Sequence, residues 1–268
     1  PDGDVEMTKV IRETINELAV KVASEANRQL DEIVEVTIVG NPIMHHLLLG
    51  INPLELGGAP FALATDESVR IRARDLKLNL HTNTRCYVLP CIAGHVGADT
   101  AGMILSESPH KREAITLLVD IGTNAEIVLG NKDRLVSASS PTGPAFEGAQ
   151  ITCGQRAAPG AIERVRIDKK TLEPKFKVIG CDLWSDEIGF SNYTKKTGIT
   201  GICGSGIIEA IAEMYLTTII TQNGAINGSI AEKSKRIIKE KRTYIYILYD
   251  GKQKIQISQN DVRAIQLA

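Results

Sequence analysis

The chain has 268 residues, 43% of them hydrophobic and 24% charged, which is enough for one or two buried cores and unlike the composition of disordered segments. Its formal charge of -1 and its lack of long like-charge runs argue against a nucleic-acid or anionic-membrane partner. No stretch approaches the roughly 18–20 uninterrupted apolar residues of a membrane span, and the polar start is unlike a signal peptide, so a cytoplasmic location is expected.

Between Met7 and Leu30, apolar residues fall at Val10, Ile11, Ile15, Leu18, Val22, Ala26 and Leu30, the spacing of an amphipathic helix. Val34 to Val39 reads as a strand ending at Gly40-Asn41-Pro42, and Ile43 to Leu49 as a short apolar helix. Asn52 to Thr84 looks irregular and leads into a buried strand, Cys86 to Leu89, closed by Pro90. Ala93 to Ser108 reads as a helix of small residues. Ile115 to Ile121, Ala125 to Leu129 and Leu135 to Ser139 form an expected antiparallel meander with Gly-containing turns. The Gly-rich segment Pro141 to Gln150 follows, then strands at Ile162 to Ile167 and Phe176 to Ile179 and a helix from Ile207 to Leu216. Thr243 to Tyr249 and Lys254 to Ser258 flank Asp250-Gly251, a hairpin signal, and Asn260 or Asp261 is the expected cap of a last helix. That helix stops soon after Ile265 and Leu267, and the chain starts without Met, so a piece of a longer protein is expected.

The chemistry concentrates at Leu117 to Glu126, LLVDIGTNAE. Gly122 lets backbone approach an anion, Thr123 and Asn124 add side-chain donors, and Asp120 at the strand end suits Mg²⁺, held through water. Glu126 is a polar residue in an apolar return strand and needs a partner. A plain hairpin whose Asp and Gly serve the turn is the alternative. In PTGPAFEG, Gly143 and Glu147 either border a nucleotide cleft or belong to a structural loop. Gly204-Ser205-Gly206 at a helix start offers unpaired amides to an anion, though helix packing explains these residues nearly as well.

The five cysteines, Cys86, Cys91, Cys153, Cys181 and Cys203, lack paired CxxC spacing and read as reduced, buried thiols rather than zinc ligands. Cys86 and Cys91 have the gap that opens a plant-type [2Fe-2S] signature, but the next cysteine of that signature is absent. His45, His46 and His95 show no metal-ligand spacing, and Trp184 suits a core or contact surface.

Five blocks in order, GNPIMHHLLLGINPLELGGAPF, LPCIAGHVGADT, LLVDIGTNAEIVLG, SPTGPAFEGAQITCGQRAAPGAIE and GICGSGIIEAIAEMY, resemble the ATP-dependent reductive activators of corrinoid proteins, of the superfamily of actin, sugar kinases and heat-shock chaperone ATPases. The resemblance implies an α/β, actin-like ATPase (ribonuclease H-like) fold, present in part, with helices on mixed sheets. Residues 1–114 would be part of a first lobe with its connecting helix, and residues 115–268 a second lobe. It further implies ATP and Mg²⁺ as ligands, with LLVDIGTNAE as the second of two phosphate hairpins. Asp99 becomes a candidate for polarising the attacking water, with a helix cap as its alternative role.

The partner implied is a corrinoid protein whose Co(II) is returned to Co(I); a homodimer is left open. In the family a [2Fe-2S] domain precedes the matched region, so that cluster is expected only there. The first phosphate hairpin and the adenosine motif have no counterpart in these residues, so weak or undetectable MgATP binding is expected of this length of chain. A non-hydrolysing scaffold that recognises the corrinoid protein and a small-molecule kinase of the same superfamily are the competing functions.

Overall fold

In the computed structural model, which describes residues 2–268, contacts divide the chain into two compact units. One holds the residues up to Asp120 together with Glu126–Ser140, and the other holds Ile121–Ala125 and Pro141–Ala268.

The first unit begins with helix α1 (Gly3–Glu25), strand β1 (Glu35–Ile38) and helix α2 (Pro42–Leu49). Only part of the apolar stripe of α1 turns inward. Ala23 is buried and Ile11 and Ile15 are half-buried, while Val10, Leu18 and Val22 stay exposed. Two polar side chains on the inward face select that orientation: the Thr8 hydroxyl donates to Leu47 O at 2.8 Å, and the Arg12 guanidinium donates to Leu48 O at 2.7 and 3.0 Å. They bond carbonyls in the last turn of α2, where Leu47 O also accepts from Gly50 N at 3.0 Å. At the other end of α2, Asn41 Oδ1 accepts from Met44 N at 2.9 Å and Pro42 occupies the first turn, where a missing N–H costs nothing.

The segment expected to be irregular contains a strand, β2 (Val69–Arg72), which pairs antiparallel with β3 (Arg85–Val88); β1 pairs with the other side of β3 in parallel, giving the order β1-β3-β2. Val36, Ile71 and Cys86 face a small core with Ile15, Leu76 and Leu78. A second small cluster joins Leu89, Cys91 and Ala98. Helix α3 (Ala98–Glu107) starts later than its small-residue pattern suggests, because Ala93 and Val96 close a bridged turn before it. Its small residues pack on the chain leaving β1: a Cβ on Gly97 would meet Asn41 Cα at 2.8 Å, and one on Gly102 would meet Val39 Cγ1 at 3.1 Å. The expected meander follows as β4 (Thr116–Ile121), β5 (Asn124–Gly130) and β6 (Leu135–Pro141), in that sheet order.

The second unit continues with β7 (Ala161–Ile167), β8 (Pro174–Val178), the short α4 (Phe190–Tyr193), β9 (Gly201–Ile202) and α5 (Gly204–Leu216). The last elements are β10 (Ile237–Glu240), β11 (Thr243–Asp250), β12 (Lys254–Ser258) and α6 (Gln259–Leu267). Two sheets result, in the orders β8-β7-β9 and β10-β11-β12, with only β7 and β9 parallel. One continuous core gathers Ile162, Ile202, Ile207, Met214, Tyr246 and Ile257 from every part of this unit. The Tyr246 hydroxyl donates to Leu172 O at 2.9 Å, and burial pushes its phenol well above the ordinary tyrosine range.

β9 pairs with only the start of β7, and beyond it α5 supplies the acceptors: Glu209 Oε2 accepts from Val165 N at 2.8 Å and Glu213 Oε2 from Ile167 N at 3.0 Å. The last helix is capped by Ser258, two residues before Asn260 and three before Asp261, the two expected positions. Asp261, instead of being the cap, is the third residue of a capping box. Its buried carboxylate accepts from Ser258 N, Ser258 Oγ, Thr152 N and Thr152 Oγ1 at 2.7–3.0 Å. Among the described residues no helix is long and apolar enough to cross a membrane.

Candidate functional site

The tip of the β4–β5 hairpin is a tight turn in which Gly122 N donates to Asn124 O at 2.9 Å. It is held by the loop that follows β6. Thr123 O accepts from Thr142 N at 3.1 Å and from Gly143 N at 3.0 Å, while the Thr142 hydroxyl donates to Gly122 O at 2.5 Å and Thr123 O at 3.0 Å. The Thr123 hydroxyl donates to the Glu147 carboxylate. The second unit therefore brings four of the expected residues, Gly122, Thr123, Gly143 and Glu147, into one hydrogen-bonded cluster, with Asn124 exposed beside them. Thr142, which closes the cluster, was not among the expected site residues. Its only sequence signal is its place beside Gly143 in the Pro-Thr-Gly-Pro turn.

Gly143 has φ +72°, the left-handed region that glycine adopts without a Cβ penalty. Gly148 has φ +85°, and a Cβ there would meet Gln155 N at 2.6 Å. The short helical turn between them, Pro144–Glu147, presses on the start of α5, where a Cβ on Gly204 would collide with Phe146 O. Gly206 meets Ile162 O in the same way, so close packing accounts for both glycines, while Ser205 is exposed. Cys203 precedes them as the N-cap residue and its thiol donates to Ile162 O at 3.3 Å.

The first unit holds the remaining expected carboxylates. Asp120 is exposed near the end of β4. Asp99 lies in the first turn of α3 rather than at its cap, which is Gly97; Asp99 Oδ1 accepts from Thr100 N at 2.8 Å. Glu126, half-buried in β5, accepts from the Ser139 hydroxyl at 3.1 Å. Burial raises the Glu126 pKa above the ordinary glutamate range, and the negative charges of Asp99 and Asp120 raise it further, against the hydrogen bond from Ser139. A carboxyl so placed stays protonated to higher pH than a free one. Ser139 is the partner that sequence reasoning left unnamed for Glu126. Counting outward from the turn between Gly130 and Leu135 puts position 139 across from position 126.

Among the described residues no group of three or more His, Cys, Asp or Glu is arranged to hold a metal ion. Mg²⁺ brought in by a nucleotide needs only one or two carboxylates besides phosphate and water, and the exposed Asp120 meets that requirement. The five cysteines form no disulfide. Cys86 and Cys91 are buried, which pushes both thiols up. His46 is saturated, its Nδ1 2.9 Å from Pro42 O and its Nε2 accepting from Ala64 N at 3.0 Å. His45 Nε2 is buried with no hydrogen-bond partner.

Two family models account for nearly the whole chain. Residues 1–112 match the one described as "RACo middle region", and residues 114–268 match "C-terminal domain of RACo the ASKHA domain", which is the actin-like ATPase fold. The corrinoid activation enzyme RamQ of Eubacterium limosum is 32% identical over 278 aligned positions, covering 100% of this chain and 44% of the relative. A [Co(II) methylated amine-specific corrinoid protein] reductase of Methanosarcina barkeri is 28% identical, covering 94% of this chain and 46% of the relative. The chain thus spans less than half the length of these curated relatives. The solved structure of a "reductive activator for corrinoid, iron-sulfur protein" superposes with a TM-score of 0.79 at 32% identity, covering 99% of this chain and 40% of that one.

Proposed function

The chain belongs to the RACo family, and on that premise we propose that it is the ATPase part of an activator that uses ATP to return a partner protein's Co(II) corrinoid to Co(I). The observation that carries this reading is the unbroken succession of middle region and ASKHA domain along the chain. In this reading residues 1–114 contribute part of a first lobe with α3 as the connecting helix, and residues 115–268 the second lobe.

Gly122 admits a phosphate to the hairpin tip, and Thr123 and Asn124 donate to it. The loop that bears Gly143 and Glu147 and the start of α5 at Gly204, Ser205 and Gly206 border the nucleotide. Glu147 already takes the Thr123 hydroxyl, so that hydroxyl must turn from the carboxylate before it can donate to phosphate. Asp120 would hold Mg²⁺, which when bound would supply positive charge to the phosphates. Asp99 orients the attacking water, and the charges of these two acids help to raise the pKa of Glu126 beside them. The cysteines of this chain do not fit a [2Fe-2S] cluster, since among the described residues no three of them converge. The electron then enters from an iron-sulfur domain outside this chain. The protein acts in the cytoplasm on a corrinoid protein.

Asp120→Asn in the full-length activator tests the proposal, with ATP hydrolysis and corrinoid reduction followed together. Loss of both by about a hundredfold or more is expected of a residue that positions charge at the phosphates. Undiminished reactivation without hydrolysis would support the scaffold, and phosphate appearing on an added hydroxyl compound would support the kinase.

A further inference from the structure

One face of the β1-β3-β2 sheet packs on the core, and the other carries an unusual concentration of guanidinium groups. The register sets Arg70 opposite Tyr87 and Arg72 opposite Arg85, with Glu35 on the far side of Arg85. Like charges directly opposite each other on a sheet are destabilising unless something negative lies between them. Nothing negative does so here. Arg70, Arg72 and Arg85 are all exposed, and none of them forms an ion pair among the described residues. Some arginines elsewhere in the chain are paired, as Arg164 and Arg166 with Glu209 at 2.7 Å.

Two of the three guanidiniums are already steadied. Arg70 stands over the half-buried Tyr87 ring at 5.5 Å, and Arg72 donates to Asn83 Oδ1 at 2.8 Å. Arginines fixed by stacking or a hydrogen bond lose less entropy when they bind an anion, and their forked donors match carboxylates. The face borders a concavity of about 570 Å³ lined by Arg70, Arg72, Arg85, Tyr87, Glu35 and Asp75.

We propose that this face is a docking surface for carboxylate groups on an acidic patch of a protein partner; under the function proposed above, on which this identification rests, that partner is the corrinoid protein. Two features favour a protein over other anions. Residues two apart on a strand are about 7 Å from one another and neighbouring strands about 5 Å apart, so the three guanidiniums cover more than one carboxylate or phosphate. Glu35 and Asp75 also line the concavity and would repel a continuous polyanion such as a nucleic acid, whereas a protein surface can offer bases to them beside acids for the arginines.

The experiment measures binding of the full-length activator to the purified corrinoid protein at several salt concentrations, with Arg72→Glu/Arg85→Glu as the variant. Arg134→Glu, an exposed charge on the β5–β6 turn, is the control. The double variant should lose at least tenfold in affinity, about 1.4 kcal/mol, and its affinity should depend less on salt. The control variant should bind as the wild type does. ATP hydrolysis without partner should be the same in all three proteins. A polyglutamate peptide should compete with the corrinoid protein for the wild type, and a DNA duplex should not.

Wild-type affinity and salt dependence in the double variant, with wild-type reactivation intact, would overturn the docking surface and leave the function standing. Competition by DNA as strong as by the peptide would also overturn it. A wild-type protein that neither binds nor reactivates the corrinoid protein would sink the functional reading, and this partner assignment with it.

Discussion

The two units bury apolar side chains in different ways. In the second, a single cluster runs from Ala145 to Val262 and draws on α5, α6 and two sheets. In the first, burial is divided between small clusters around Leu76 and Leu89, and polar links do much of the joining. Thr8 and Arg12 tie α1 to α2, Asn79 N donates to Asn16 Oδ1 at 2.7 Å, and the Thr84 hydroxyl donates to Ile33 O at 2.6 Å. A continuous core makes every element depend on every other, while separate clusters let segments open one at a time. The second unit should therefore unfold as one body and the first in parts.

The strongest test is Asp261→Ala. It removes the acceptor of two hydrogen bonds that join α6 to Thr152 and of two that close its own capping box at Ser258, and should cost about 4 kcal/mol. Hydrogen exchange should rise together in β7, α5 and β11 while α1 and β3 keep their protection. Faster exchange confined to α6 would break the contrast.

Leu47→Ala comes next, at about 3 kcal/mol for a leucine fully buried in α2. Exchange should quicken in α1 and α2 and leave β11 unchanged; uniform acceleration throughout the first unit would show that it too is a single cooperative body.

The smallest effect is on pH. Burial, with the neighbouring His46 adding to it, lowers the His45 pKa below the ordinary histidine range. Protons then bind the unfolded chain more readily, so the first unit has its full stability above that range and loses it as pH falls from about 6.5. Glu209 sits lower on the scale. Burial pulls its pKa up, but the N–H of Val165 and the guanidiniums of Arg164 and Arg166 outweigh that pull and leave it below the ordinary glutamate range. The second unit's stability from this group is full above the unfolded glutamate range and is lost only as pH falls below it. Exchange followed from pH 7 to 5.5, at about 25 °C in the conditions those pKa values describe, should loosen α2 and spare β7, and His45→Phe should abolish the difference.

How much the sequence revealed depended on how local the cause was. The meander was legible because Gly122 and Gly130 mark turns between apolar runs, and α5 because its apolar periodicity is strong. β2 was not. Val69–Arg72 is four residues long and stands only because β3 offers it a partner. β9, with two residues, and β10 depend in the same way on β7 and β11.

The stripe on α1 was wide enough for two orientations, and Thr8 and Arg12, as partners of the α2 carbonyls, decided between them. The cap of α6 was misjudged because Ser258 ends a strand and begins a helix at once. At the candidate site the residue types at the hairpin were plain from the sequence. What the sequence did not show was that Thr142 and Glu147 already take the hydrogen bonds of Thr123. Partners that lie about twenty residues on in sequence are set by the fold.

The two glutamates of α5 that reach Val165 and Ile167 have a consequence for the protein's solubility. A strand with bare amides along one side is a template on which another chain can lay itself down, and natural sheets guard such margins. Here the guard is two carboxylates, which occupy the donors and present negative charge and a helix where an incoming strand would have to lie. Glu209→Ala/Glu213→Ala would unmask the margin, and crowded samples of that variant would self-associate there first.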